Sequence, residues 1–199
     1  TGIELNQASD DYSSLAITNN LLSQSSGYSQ AIENTNSAIA STQIASSATN
    51  EQSSILDNIK EKLLQASTDT TSQDGREALL KDIQSQLDQF NQIASSTNYN
   101  GQTLLQNSAS DTSASQVQQY QSGINSENLI ETSSVQSNTQ GLGLTALSSQ
   151  DATSFSSSDA RGFLQSVDNA INGLNDIRSE FGSVQNQLES SSKNLISQE

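Results

Sequence analysis

The sequence is 199 residues long, carries a formal net charge of −15, and contains no His, Cys, Met, Trp or Pro. Hydrophobic residues make up 31% and aromatic residues 4%, so the chain cannot fill a thick spherical core, although it can supply narrow apolar stripes along helices. The excess of 22 acidic over 7 basic residues opposes binding to nucleic acids and anionic membranes, and the lack of Cys excludes disulfides and thiolate metal sites.

The first predicted element is one very long helix over about residues 9–66. A five-residue step between Ile39 and Ile44 shifts the phase of its apolar stripe, and a break near Gly27 or near Ser41–Thr42 is the alternative interpretation. The stripe is otherwise spaced by four and seven residues, at Leu21, Tyr28, Ile32, Ile39, then Ile44, Ala48, Ile55, Ile59 and Leu63.

Two adjacent carboxylates, Asp10 and Asp11, stand near the start of this helix. Neighbouring helical residues diverge by about 100°, so the pair is poorly placed to share a metal ion. We interpret both as first-turn charges that the helix macrodipole favours by about 0.3–1 kcal/mol. A metal-binding or acid–base role is the alternative.

A second helix is predicted over about residues 76–96. Asp74–Gly75 predicts a turn before it, and NYNG at Asn98–Gly101 predicts a turn after it. Apolar residues inside it alternate at steps of three and four, at Leu80, Ile83, Leu87, Phe90 and Ala94. These two helices form the first predicted region, residues 1–106.

The middle of the chain, residues 107–158, is polar and of low complexity. Within it, QQYQSGINSENLIETSSV could form two short strands that turn near residues 125–127. We expect this polar tip to be the most mobile and least buried part of the protein.

The clearest periodicity lies in the last region, residues 159–199. Asp159 is the predicted N-cap of one helix on the order of 60 Å long. Steps of three and four alternate strictly along a predicted core stripe, Phe163, Val167, Ala170, Leu174, Ile177, Phe181, Val184 and Leu188.

Together these elements predict a mainly α fold, an elongated bundle of long helices with a small β-hairpin region. Low hydrophobicity and high charge also favour disorder, but the periodicity argues against it for most of the chain. Because the first and last helices must pack together, the two ends of the chain should lie side by side.

No pattern in the sequence indicates catalysis, a cofactor or a metal. Without His or Cys, a nucleophile would need a Lys or carboxylate base, and neither a Gly-x-Ser-x-Gly elbow nor a supported Ser-x-x-Lys motif is present. We therefore expect no enzymatic activity and no membrane-spanning segment. Surface recognition between rods with polar outer faces is the remaining interpretation.

Several ordered motifs resemble those of bacterial flagellins. The segment TGIELNQASDDYSSLAI keeps Gly2, Asn6, Ala8, Asp10, Asp11, Leu15, Ala16 and Ile17 of a flagellin pattern. LDNIKEKLLQAS, IQSQLDQFNQIASSTNYNGQTLL and LNDIRSEFGSVQNQLESSSKNL follow in the family's order. The resemblance covers residues 1–106 and 159–199 and implies the D1 rod of a flagellar filament subunit.

The resemblance also implies the setting in which the chain acts. Other flagellin subunits, filament cap and hook-junction proteins, and an export chaperone would be its partners, outside the cell and without a cleaved signal peptide. The chain begins at Thr1 without a leader, so we expect a fragment that lacks the family's D0 terminal helices and is itself monomeric. A hook–filament junction protein and a secreted helical adhesin are the alternatives.

In flagellins that the vertebrate Toll-like receptor senses, the first two D1 helices present an Arg, a Leu, a Gln and a Glu. By resemblance these positions fall on Asn58, Lys62, Gln65 and Asp82. Losing the forked Arg donor and the apolar Leu should each weaken recognition, by about 1–3 kcal/mol if both are hot spots. We therefore expect weak or absent sensing, and drift on a solvated helix face is the simpler explanation of the differences.

Overall fold

The computed structural model describes residues 12–198, so Asp10 and Asp11 lie outside the described residues. The fold is mainly α, as the sequence predicts. Its helices are α1 (Tyr12–Ala66), α2 (Gln73–Ser96), the short α3 (Thr145–Ser148) and α4 (Ser157–Ile196), with one 3-10 turn at Ala152–Ser154. Two antiparallel hairpins pair β1 (Asn98–Tyr99) with β2 (Gln102–Thr103), and β3 (Gln119–Gln121) with β4 (Leu129–Glu131).

The chain divides into two compact units, and α1 and α4 contribute residues to both. Of the described residues, unit 1 takes 12–39, 119–131 and 186–198, and unit 2 takes 40–118 and 132–185. Of the segment predicted as a polar tip, residues 107–158, the hairpin belongs to unit 1 and the remainder to unit 2.

In unit 1 the β3–β4 hairpin packs closely on α1. A Cβ atom on Gly27 would lie 2.8 Å from Ile124 Cγ2, so only glycine lets the hairpin turn approach the helix this far. Gln198 lines the same cleft as Thr18 and Leu21. Residues near the start of α1 and just after the end of α4 are thus neighbours within this unit, and the two ends of the chain themselves lie outside the described residues.

The buried stripe of α1 keeps a single phase and is built largely from small residues. The predicted phase shift between Ile39 and Ile44 is wrong, since Ile44 is 41% exposed and Leu21 is 60% exposed. The prediction of one long helix is confirmed, because α1 is continuous and neither of the alternative breaks is present. Buried positions recur at steps of four and three, at Ala31, Thr35, Ala38, Thr42, Ala45, Thr49, Gln52, Leu56, Ile59, Leu63 and Ala66.

Hydroxyl groups in this stripe are satisfied by their own helix. Thr35 Oγ1 donates to Ala31 O at 2.7 Å, and Thr49 Oγ1 donates to Ser46 O at 2.9 Å. A buried Thr bonded in this way avoids the cost of an unpaired polar group. Thr therefore serves as a small core residue, which a search for large apolar side chains overlooks.

Two apolar clusters in unit 2 join α1, α2 and α4. The larger cluster draws on Ile55–Ala66 of α1, Leu80–Phe90 of α2 and Ala160–Leu174 of α4. The smaller one gathers Ala45, Ala94, Leu104, Leu105, Val135 and Phe181. Along the predicted α4 stripe, Val167, Ala170, Leu174, Phe181, Val184 and Leu188 are buried, while Phe163 and Ile177 are half-buried against the clusters.

The polar middle segment is buried more deeply than its composition predicts. Leu144, Leu147 and Phe155 are fully enclosed in the larger cluster, so the expectation of a least-buried segment is wrong for this part of unit 2.

Side chains of the helices hold the backbone of this segment by hydrogen bonds. Gln52 Nε2 of α1 donates to Ser137 O in the segment at 2.8 Å and also to Phe90 O of α2 at 3.1 Å.

Two buried amides extend these ties. Asn91 donates to Thr139 Oγ1 at 3.1 Å and accepts from the Thr139 N–H at 2.9 Å. Asn138 donates to Ser108 O at 2.9 Å and accepts from the Gly141 N–H at 2.8 Å. An irregular segment leaves backbone groups unpaired, and these amides supply the partners that let the segment be buried.

Two helix starts differ from their predicted form. Asp74–Gly75 is not a turn but lies in the first turn of α2, whose N-cap Ser72 accepts from the Gly75 N–H at 3.1 Å. Asp159 is not the N-cap of α4. Instead its Oδ2 accepts from the Ser156 N–H at 2.9 Å while the Asp159 N–H donates to Ser156 Oγ at 3.2 Å, the reciprocal pattern of a capping box.

Replacing Ala45 by Leu should destabilise the protein by about 1–3 kcal/mol, because Ala45 is 2% exposed in the smaller cluster and added carbons would displace neighbours such as Phe181. Urea denaturation followed by circular dichroism measures the loss. Ser47→Leu, at an exposed position of the same helix, is the matched control and should stay within about 0.5 kcal/mol of the parent. Equal effects of the two changes would contradict the small-residue stripe.

Replacing Asp159 by Ala should cost about 1 kcal/mol at neutral pH, through loss of the capping box. Hydrogen bonds from the Ser156 hydroxyl and backbone N–H lower the pKa of Asp159, so its contribution is complete above the unfolded-state pKa of about 4 and is lost as the pH falls through the folded value. Denaturation of both proteins across acidic pH tests this, with the exposed Asp176→Ala as control. A stability difference that stays constant into acid would count against it.

Candidate interaction surface

The candidate site in the described residues is a surface on α1 and α2 that is suited to protein contacts. Between residues 12 and 198, no three His, Cys, Asp or Glu side chains are grouped so that they could hold a metal ion. In the same stretch, every helix is too short or too polar to cross a membrane.

The four residues predicted at the receptor-equivalent surface occupy α1 and α2 in unit 2. Asn58, Lys62 and Gln65 follow one another at steps of four and three, which places them along one side of α1. Asp82 lies on α2, and its Oδ2 is 2.5 Å from Lys62 Nζ. The structure thus joins two of the four residues in an ion pair between helices, while Asn58 and Gln65 are exposed.

This ion pair changes the electrostatics of Asp82. The hydrogen bond from Lys62, assisted by its charge and by a hydrogen bond from Gln86, holds the pKa of Asp82 below its ordinary value. The Asp82 side chain is 51% exposed, so solvent screens the interaction and its contribution to stability is below about 1 kcal/mol. Its main consequence is that the ammonium group at position 62 is already engaged.

A cleft of about 580 Å³ runs beside the pair, between α1 and α2. Ile55 and Ile93 supply its apolar lining, and Glu51, Asn58, Gln86, Gln89 and Gln92 supply its polar lining. Such a lining can donate and accept hydrogen bonds at several points, which suits contact with another polar protein surface.

The amide side chains on α2 were missed by sequence reasoning, which searched the second helix for apolar positions only. Gln86, Gln89 and Gln92 recur every three residues, and that spacing is visible in the sequence as a signal for one face of a helix. Assigning that face to a cleft with α1 requires the packing of the two helices. The sequence alone does not supply it.

Residues 1–110 match the family model described as the bacterial flagellin N-terminal helical region. Flagellin B of Helicobacter pylori is 44% identical over 110 residues, which are 55% of this chain and 21% of that protein. The chain therefore spans about a fifth of the length of that curated relative. A flagellin of Halalkalibacterium halodurans is 30% identical over 195 residues, which are 98% of this chain and 68% of that protein.

Solved structures show the same fold. The crystal structure of Bacillus cereus flagellin matches with a TM-score of 0.70 and 23% identity, over 82% of this chain and 88% of that one. A structure of a putative flagellar hook-associated protein from Vibrio parahaemolyticus matches with a TM-score of 0.76 and 12% identity, over 96% of this chain and 95% of that one.

Replacing Lys62 by Gln should raise the pKa of the Asp82 carboxyl toward its ordinary value, because the largest cause of its depression is removed. An NMR titration of side-chain carboxyl carbons measures the change. Lys60→Gln is the matched control: Lys60 also lies on α1, but it pairs with Asp168 at 2.6 Å. A larger shift of Asp82 in the Lys60 variant would contradict the assignment.

Proposed function

The chain belongs to the bacterial flagellin family, and we propose that it is a segment of a structural subunit of the flagellar filament, which serves motility outside the cell. The alignment with the Halalkalibacterium flagellin carries this proposal, because it extends over 98% of the chain and therefore through both α1 and α4. A match confined to one helix would be weaker support for a filament subunit.

Subunits would assemble by side-by-side packing of their helices. In this proposal the exposed amides and hydroxyls of α1 and α2 form hydrogen bonds with neighbouring copies, and register along the helices provides specificity. Filament cap proteins, hook-junction proteins and an export chaperone complete the set of partners, and export proceeds without a cleaved signal peptide. The protein would perform no catalysis, in keeping with a structural family.

A hook–filament junction protein is the second candidate, and the fold does not separate it from a filament subunit. The hook-associated protein shares the fold at a TM-score of 0.76, but at only 12% identity. In the junction proteins that the chain resembles, the counterpart of the Asp10–Asp11 motif usually continues with Pro, whereas Tyr12 follows it in this chain. The 30% identity to the Halalkalibacterium flagellin over 195 residues favours the filament subunit over both the junction protein and a secreted helical adhesin.

Immunogold labelling of the source cells, with antibodies raised against the 199-residue chain, tests the proposal. We expect label along the whole filament, and peptides of α1 and α4 in the digest of purified filaments. Cells that lack the gene are the control and should lose both. Label restricted to the hook junction would support the second candidate, and label over the cell body would support an adhesin.

We also propose that the α1–α2 surface is a weak ligand for the Toll-like receptor that senses flagellins. Support comes from Asn58, which lacks a forked guanidinium, and from Lys62, whose charge is paired with Asp82 in place of an apolar contact. A reporter-cell assay with the full-length protein should show little activation. The double change Asn58→Arg with Lys62→Leu should raise potency by roughly tenfold or more.

Asn50→Arg is the matched control, at an exposed position of α1 about two turns before Asn58. It should leave the activation of the receptor unchanged. Strong activation by the unaltered protein would refute the receptor proposal, and it would leave the filament assignment untouched.

A further inference from the structure

We propose that Asn100 is a site of spontaneous deamidation, a covalent modification encoded by the turn between β1 and β2. Asn100 and Gly101 form the two-residue loop of this hairpin, in which Tyr99 pairs with Gln102. Their φ angles are +50° and +81°, the left-handed pair of a type I′ turn. Asn100 is the single non-glycine residue with positive φ among the described residues.

The reaction needs only the chain itself and water. The backbone nitrogen of Gly101 attacks Cγ of Asn100, a bond forms between these atoms, and the Cγ–Nδ2 bond breaks. Ammonia leaves with the proton from Gly101 N, and a five-membered succinimide remains. Water then opens the ring at Cγ to give Asp, or at the Asn100 main-chain carbonyl to give isoaspartate.

The turn leaves both reacting groups accessible. Asn100 is exposed, and in the described part of the chain the Gly101 N–H has no hydrogen-bond acceptor. A Cβ atom placed on Gly101 would meet nothing within 4 Å, so the space beside Gly101 is open. Hairpins of two-residue strands open locally at small cost, which allows the turn to reach the geometry of attack.

The same dipeptide occurs once more, in a setting that should suppress the reaction. Asn172 is also exposed and is also followed by glycine, but both residues lie inside the 40-residue helix α4. There the Gly173 N–H belongs to the helical hydrogen-bond ladder, and Leu142 Cδ2 lies 3.2 Å from the position of a Gly173 Cβ. Attack would require opening the middle of a packed helix.

A third related dipeptide should also be protected. Asp74–Gly75 can form the same succinimide by loss of water, but the Gly75 N–H donates to Ser72 Oγ at 3.1 Å in the N-terminal turn of α2. Backbone conformation, and not the dipeptide, therefore selects Asn100.

Deamidation would change the surface of unit 2. Each event adds one negative charge to a chain whose formal charge is already −15. Isoaspartate also lengthens the main chain by one carbon within a two-residue turn, which disturbs the pairing that positions Tyr99 and Leu104 against the smaller cluster. A long-lived protein of this sequence would therefore accumulate a more acidic form with a loosened turn.

Peptide mapping by mass spectrometry tests the proposal on the 199-residue chain, held folded in mildly alkaline buffer. We expect Asn100 to be converted at least about tenfold faster than Asn172, and the ratio to fall to about one when the chain is unfolded in denaturant, since local structure then no longer distinguishes the sites. Similar rates in the folded protein, or a ratio that survives unfolding, would overturn it.

Two variants provide an independent reading by ion-exchange chromatography. Asn100→Gly removes the amide and tolerates the positive φ, so it should abolish the acidic species that appears with time. Asn172→Ala should leave that species in place. Persistence of the acidic species in the Asn100 variant would assign the modification elsewhere and refute the proposal.

Discussion

The fold depends on one stripe of buried residues along α1, repeated at steps of four and three from Ala31 to Ala66. Only 31% of the residues are hydrophobic, so large apolar side chains are concentrated where α1, α2 and α4 meet, around Leu56, Ile59 and Leu63. Elsewhere Ala and Thr occupy the stripe. Small residues take up little volume, and in the smaller cluster Ala45 is accompanied by a large side chain, Phe181.

Buried polar groups make up for the scarcity of apolar ones. Gln52, Asn91 and Asn138 each bond to backbone groups of the irregular middle segment and so allow Leu144 and Phe155 to enter the core. Such bonds contribute about 1 kcal/mol each when made, and leaving their partners unpaired costs more. The segment is therefore fixed by amides at particular places and not by a continuous apolar pattern.

Surface chemistry follows from the same composition. The ion pairs Lys60–Asp168 and Lys62–Asp82 connect α1 to α4 and α2, but both are partly exposed to solvent and contribute little to stability. An acidic surface with few free cations suits contacts made by amides and hydroxyls, as proposed for packing between filament subunits. The turn at Asn100 is a different case, in which an exposed hairpin turn leaves a common dipeptide open to the deamidation proposed above.

The sequence by itself determined the mainly α class, the three long helices to within a few residues, the β3–β4 hairpin and the α4 stripe, because periodicity and turn chemistry are local properties. It also determined the family, through ordered motifs. Only the tertiary structure decided that Thr35 and Ala45 are core positions and that Ile44 is not, since burial depends on what packs against a helix. It also decided that Lys62 meets Asp82. This contact arises between two helices, where spacing along the chain carries no information about distance in space.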